Sequence, residues 1–304
     1  HRRGAGTSLE THCQDKENML CRDERLYPGS KVSIDQYIST VPGRLAHTKG
    51  KEPKKDKYNG ETIFVDHASA YIHISNQVSL RVGETLRGKH SFEKFATLHG
   101  IKIEGYRADN VPFGAVEFMA DLESKGQTID FSGTGAHHQN GVAERAIQTV
   151  TRWARAMLLH SIIHWPEQAD LSLWPFAFEY AVYLWNVMPA QGSRLSPLVI
   201  FTSSKFPPEY IHLQRAHVWG CPVYVLDPHL QDSKKLPKWH PRSQRGQFLG
   251  ILPDHLTTIG RILNIRTGHV SPQFHVIYDD LFSTVLNVET GGLIDLDNFQ
   301  SQSW

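Results

Sequence analysis

"ETIFVDHASAYIHISNQVSLRV" (residues 61–82) decides how the chain is read. It holds three short β-type runs, ETIFVD, AYIHIS and QVSLRV, joined by tight connections, and it predicts an antiparallel meander. Downstream, Leu86, Phe92, Phe95, Ala96 and Leu98 fall at helical spacing, and Gly100 stands where a helix-ending glycine belongs. IKIEGYRAD (101–109) predicts a strand, FGAVEFMADLESKG (113–126) a helix closed by Gly126, and QTIDF (127–131) another strand. A loop at 132–140 leads into a long helix from 141 to about 160, with Ala143, Ile147, Val150, Ala154, Met157 and Leu158 on one apolar face. Three strands, helix, strand, helix, strand, helix suits an α/β fold: a mixed five-stranded sheet with helices on its faces.

The flanks read differently. Residues 1–60 predict a poorly ordered segment, and within it 41–60 carry six Lys/Arg against two acids. That stretch is either a solvated linker or a basic arm that touches phosphate. Residues 170–190 are rich in aromatics and predict buried helix, and PAQGSRLSP (189–197) breaks it. Beyond about 215, AHVWGCPVYVLD, GQFLGIL, GRILNIRTGHV and FHVIYDD are short strands between turn residues, and they predict a small barrel-like β module. The expected division is 1–60 segment and linker, 61–190 core, 191–214 linker, and 215–295 β module.

Composition excludes little. The 304 residues carry 32 basic and 31 acidic side chains, net +1, so total charge does not point to a polyanion and local charge must. No apolar run of about 18 residues predicts a membrane span, and no signal peptide is evident. The first residue is His, which predicts a fragment of a longer product. Three sparse cysteines, Cys13, Cys21 and Cys221, do not make a disulfide framework and fit a reducing interior.

Two strand-like runs end in aspartate, Asp66 and Asp109, and Glu144 opens the long helix. Strand ends and helix starts are rigid positions suited to a preorganised site. Three converging carboxylates would repel unless cations sat between them, and hard oxygen donors favour Mg²⁺ or Mn²⁺. Two such ions support in-line phosphoryl displacement without a side-chain nucleophile. In that scheme Asp66 bridges both ions, Asp109 holds one and Glu144 the other. Each acid also has an ordinary explanation. Aspartate forms turns at strand ends, and an acid in a first helical turn gains about 0.3–1 kcal/mol from the helix dipole.

FVDHASAY, YRADN and HHQNGVAERAIQT together resemble the catalytic core of retroviral-type integrases, within the RNase H-like polynucleotidyl transferases. NGVAER, ARAMLLHS, WPFAFEYAVYLWN, SPLVIFT, VWGCPVYV and GQFLGI recur in that order in the copia-type LTR retrotransposon family, and the resemblance covers about 60–285. Between Asp109 and Glu144 lie 34 residues, close to the family spacing. The resemblance implies an RNase H-like sheet, Asp66, Asp109 and Glu144 as catalytic metal ligands, two Mg²⁺ or Mn²⁺ ions, and integration of element DNA into target DNA. It implies a homo-oligomer that works in the nucleus after cytoplasmic synthesis, with no membrane. Expected DNA contacts are His138 and Asn140 in the loop, Arg145, Gln148 and Arg152 on the helix, and Lys234, Lys235 and Lys238 in KKLPKWHPRSQR. Their ordinary role is a solvated surface. The family's N-terminal zinc module is reduced here to THCQDKENMLC, whose cysteine spacing does not suit zinc. YRADN also lacks the glycine that usually follows. A catalytically inactive nucleic-acid-binding remnant and an RNase H-type nuclease remain open as rival readings.

Overall fold

The strand Val32–Gly43 (β1) sits between two others, Tyr58–Asp66 (β2) and Gly105–Ala108 (β4), at the centre of a five-stranded sheet. In this computed structural model, the described residues are 26–45, 57–109, 113–132, 140–189, 193–203, 213–231, 234–252 and 259–285. Chain contacts divide it into two compact units, neither contiguous in sequence: residues 1–37, 61–148 and 184–210, and residues 38–60, 149–183 and 211–304.

The first unit holds the mixed sheet, ordered β3-β2-β1-β4-β5, with β3 at Ile72–Gln77 and β5 at Thr128–Phe131. β1 pairs parallel with β4, and β4 parallel with β5. β2 is buried from Gly60 to Asp66, as expected of a strand covered on both faces. The helices are Val82–Leu98 (α1), Val116–Lys125 (α2) and the long Gly141–His164 (α3), which continues into the second unit. Gly126 ends α2 at φ 62, the left-handed region where glycine meets no Cβ penalty. Phe64, Phe92, Tyr106, Phe113, Phe118 and Phe201 are buried almost completely, each worth roughly 1.5–3 kcal/mol of apolar burial.

Two expectations change. The sheet does have five strands, but QVSLRV is not one of them. β3 stops at Gln77, because the Glu84 carboxylate accepts from Val78 N (2.8 Å), Ser79 N (3.2 Å) and Ser79 Oγ (2.9 Å), which turns the chain into α1. The fifth strand is β1, inside the segment expected to be poorly ordered. Val32, Ser33 and Ile34 are fully buried there.

The second unit is built on another sheet: Pro222–Leu226 (β6), Ser243–Ile251 (β7), Gly260–Asn264 (β8), Val270–Gln273 (β9) and Val276–Tyr278 (β10). Its order is β10-β6-β7-β8-β9, and every pairing is antiparallel. Within this unit Gly220, at φ +81, lets the backbone approach α3: a Cβ there would lie 2.3 Å from Ser161 Oγ. Among the described residues no helix is long and apolar enough to cross a membrane.

Candidate active site

Strand register builds the site. Val32 pairs with Tyr106 and Ser33 with Arg107. Two residues further along each parallel strand, Asp35 on β1 stands level with Asp109, just past the end of β4. Adjacent strands are about 4.8 Å apart, so Asp35, early in β1, and Asp109, just past β4, are near neighbours across the parallel pair.

Glu144 comes to the same place through α3. Asn140, at the start of that helix, is fully buried, and its Nδ2 donates to the Ile34 carbonyl at 3.2 Å. That bond ties the helix start to the residue before Asp35. Glu144 lies four residues on, on the same helix face one turn along. Asp35 registers both neighbours: burial first, then the negative charges of Asp109 and Glu144, push its carboxyl up to about 6. Its Oδ1 accepts from Gln36 N at 2.8 Å.

Asp66 is elsewhere, which corrects its expected place in the trio. Its Oδ1 accepts from Gly29 N (2.8 Å), and its Oδ2 from Ser69 N (2.8 Å) and Ser69 Oγ (2.6 Å). Next to it, His67 N donates to Lys31 O at 3.0 Å. The end of β2 thus meets the start of β1, and β2 runs antiparallel to it. Lys31, just before that strand, and Asp35 on it are four residues apart, about 13 Å in extended chain. Asp66 is fully buried and secures the turn into β3. Burial raises its carboxyl, and the bonds from Ser69 and Gly29 oppose the rise.

Asn140 was expected to touch DNA, but it is buried on Ile34 and positions the helix instead. Arg145, Gln148 and Arg152 are exposed on α3, and Lys234, Lys235 and Lys238 are exposed ahead of β7. His138, Cys13 and Cys21 lie outside the described residues.

Asp35, Asp109 and Glu144 offer only hard oxygen donors, and the field they impose on Asp35 is what a divalent cation would relieve. The donor set therefore fits Mg²⁺ or Mn²⁺. A different cluster packs tighter: His90, Glu93 and Asp121 bring ligand atoms within 4.8 Å of one another. Lys89 already occupies it, 2.6 Å from Asp121 and 2.7 Å from Glu93, and Lys125 lies 2.6 Å from Glu93. Those ammonium groups outweigh burial and hold Asp121 down to about 2. This network is an ion-pair cluster around the fully buried Lys89, already neutralised.

No protein-family profile matches the chain. Among solved structures, it is similar to the HTLV-2 integrase catalytic core domain in complex with magnesium, in trimeric and dimeric forms. Each match has 20% identity and TM-score 0.40, covering 58% of this chain and 98% of that one. It is also similar to a simian T-cell lymphotropic virus intasome in complex with PP2A regulatory subunit B56 gamma. That match has 12% identity and TM-score 0.44, covering 83% and 79%.

Proposed function

We propose that the chain is a metal-dependent polynucleotidyl transferase, the integrase of a copia-type LTR retrotransposon. On this reading it cleaves near the ends of element DNA and joins the 3′-hydroxyl ends to target DNA. The observation that carries the reading is the meeting of Asp35 on β1 with Asp109, just past the end of the parallel strand β4, and with Glu144. The ordered motifs from FVDHASAY to GQFLGI support the family.

Asp35, Asp109 and Glu144 would hold two Mg²⁺ or Mn²⁺ ions. Bound cations would polarise the scissile phosphate and offset charge on the attacking and leaving oxygens. The protein's own part is placement. β1 and β4 fix two carboxylates side by side, and the Asn140 bond holds the third one turn into α3. Water or a DNA 3′-hydroxyl attacks, so no side chain need be a nucleophile. Exposed Arg145, Gln148 and Arg152 would take phosphates or base edges. The enzyme would act as a homo-oligomer in the nucleus, after synthesis in the cytoplasm.

The experiment is strand transfer in Mg²⁺ on a short duplex, comparing the parent with Asp35→Asn, Asp109→Asn and Glu144→Gln. Joining by the parent and its loss in all three variants is expected. A parent that binds duplex but never joins it would favour an inactive remnant.

A further inference from the structure

Trp239 is 90% exposed, while Trp165, Trp174 and Trp219 are each at most 3% exposed. A solvent-facing indole forgoes a large burial gain. It is held there by a built turn. His240 N donates to Pro237 O at 3.0 Å, and Pro237 and Pro241 bracket the turn. Around it, KKLPKWHPRSQR (234–245) carries five cations and no acid. Lys238 Nζ lies 5.6 Å from the Trp239 ring centre.

The same segment runs directly into β7, whose Gln244 and Arg245 line a shallow groove on the second sheet. Asn264, Ser271 and Gln273 line it too. Asn264 Nδ2 donates to Gln244 Oε1 at 3.0 Å, and Gln273 Nε2 to Ser271 Oγ at 2.9 Å. Side-chain amides both donate and accept, as nucleobase edges do. Cations match phosphates, and the indole face turned away from Lys238 matches an unstacked base. In a duplex the bases are already stacked on one another, so that face selects unpaired nucleotides.

We propose that this loop and groove are a seat for single-stranded nucleic acid, with Trp239 stacked on an unpaired base and the flanking Lys and Arg on phosphates. This deepens the proposed action on DNA and rests on it for its biological setting, but binding can be measured without joining.

The test uses the full chain and fluorescence anisotropy with a labelled oligothymidylate, a duplex of equal length, and phosphatidylserine–phosphatidylcholine vesicles. Trp239→Ala should weaken oligothymidylate binding by about 5- to 150-fold, the range for stacking one base, and Trp239→Phe should recover most of it. Duplex affinity should stay unchanged in both variants. Equal losses on single strand and duplex, no loss at all, or tighter binding to vesicles than to oligothymidylate would each overturn the proposal. Circular dichroism of Trp239→Ala should match the parent, because the side chain is exposed. Normal joining with no Trp239 dependence of single-strand binding would sink this inference alone. Absent joining with that dependence intact would sink the enzymatic reading alone.

Discussion

Asp35, early in β1, and Asp109, just past the end of β4, stand level, two residues beyond the pairing of Ser33 with Arg107. They are separated by 73 residues of sequence and brought together by strand register. Asp35→Asn should lower joining by about 10²-fold or more, because phosphoryl transfer depends on placed charge. Asp66→Asn is the control. Its amide nitrogen cannot accept, so either the Gly29 bond or the pair from Ser69 is lost, and stability should fall by about 1–3 kcal/mol. Joining per folded molecule should persist. Denaturant melts with strand-transfer rates on both variants check this, and the reverse pattern would restore Asp66 to the site.

Glu144→Gln separates helix electrostatics from metal holding. If Glu144 only complements the α3 dipole, the variant loses at most about 1 kcal/mol of stability and joins DNA normally. We expect joining to collapse while duplex affinity, supplied mainly by Lys and Arg, is kept.

Asn140→Ala tests the tie between α3 and β1. The lost bond to Ile34 should cost about 0.5–1.5 kcal/mol. Joining should drop further than stability, because a carboxylate displaced by about 1 Å can cost on the order of 10²-fold. Unchanged duplex affinity would agree with its burial. A binding defect alone would point to a direct DNA contact.

Lys89 is fully buried between Glu93, Asp121 and Gln127. Lys89→Met keeps the length and removes the charge, leaving two carboxylates with Lys125 as the main cation. Breaking a buried pair this way costs about 3–5 kcal/mol. Urea unfolding measures it, and a loss under about 1 kcal/mol would show that the network relaxes freely.

The same network sets an acid limit. Asp121 is held down to about 2 in the folded chain, below its ordinary 3.8. A depressed carboxylate stabilises the fold above its unfolded value, and that contribution is lost as pH falls through the folded one. Stability should therefore decline between about pH 4 and pH 2, and Asp121→Asn should flatten the slope. Melting temperatures across that window decide it; an equally steep decline in the variant would assign the slope to other groups.

Much of the architecture was local enough to read. The spacing of apolar residues in 141–164 marks the buried face of α3, where Ala143, Val150, Ala154 and Leu158 are at most 5% exposed. Gly126, FHVIYDD and GRILNIRTG announced a helix end and strands that are present. Asp109 and Glu144 were legible as acids at a strand end and a helix start. QVSLRV misled because its alternation suits a strand, while Glu84, five and six residues away, captures the backbone of Ser79 and Val78.

Which aspartate joins Asp109 and Glu144 was decided by tertiary structure alone. Asp66 and Asp35 each follow an apolar strand residue, Val65 and Ile34, and local pattern does not rank them. β2 runs back along β1, so the end of β2 lies at the start of β1, and Asp66 faces Gly29. β4 runs alongside β1, so Asp35 faces Asp109. Side-chain period and capping act over a few residues and can be read from the chain. Strand order and direction arise from long-range pairing, and they place the charges.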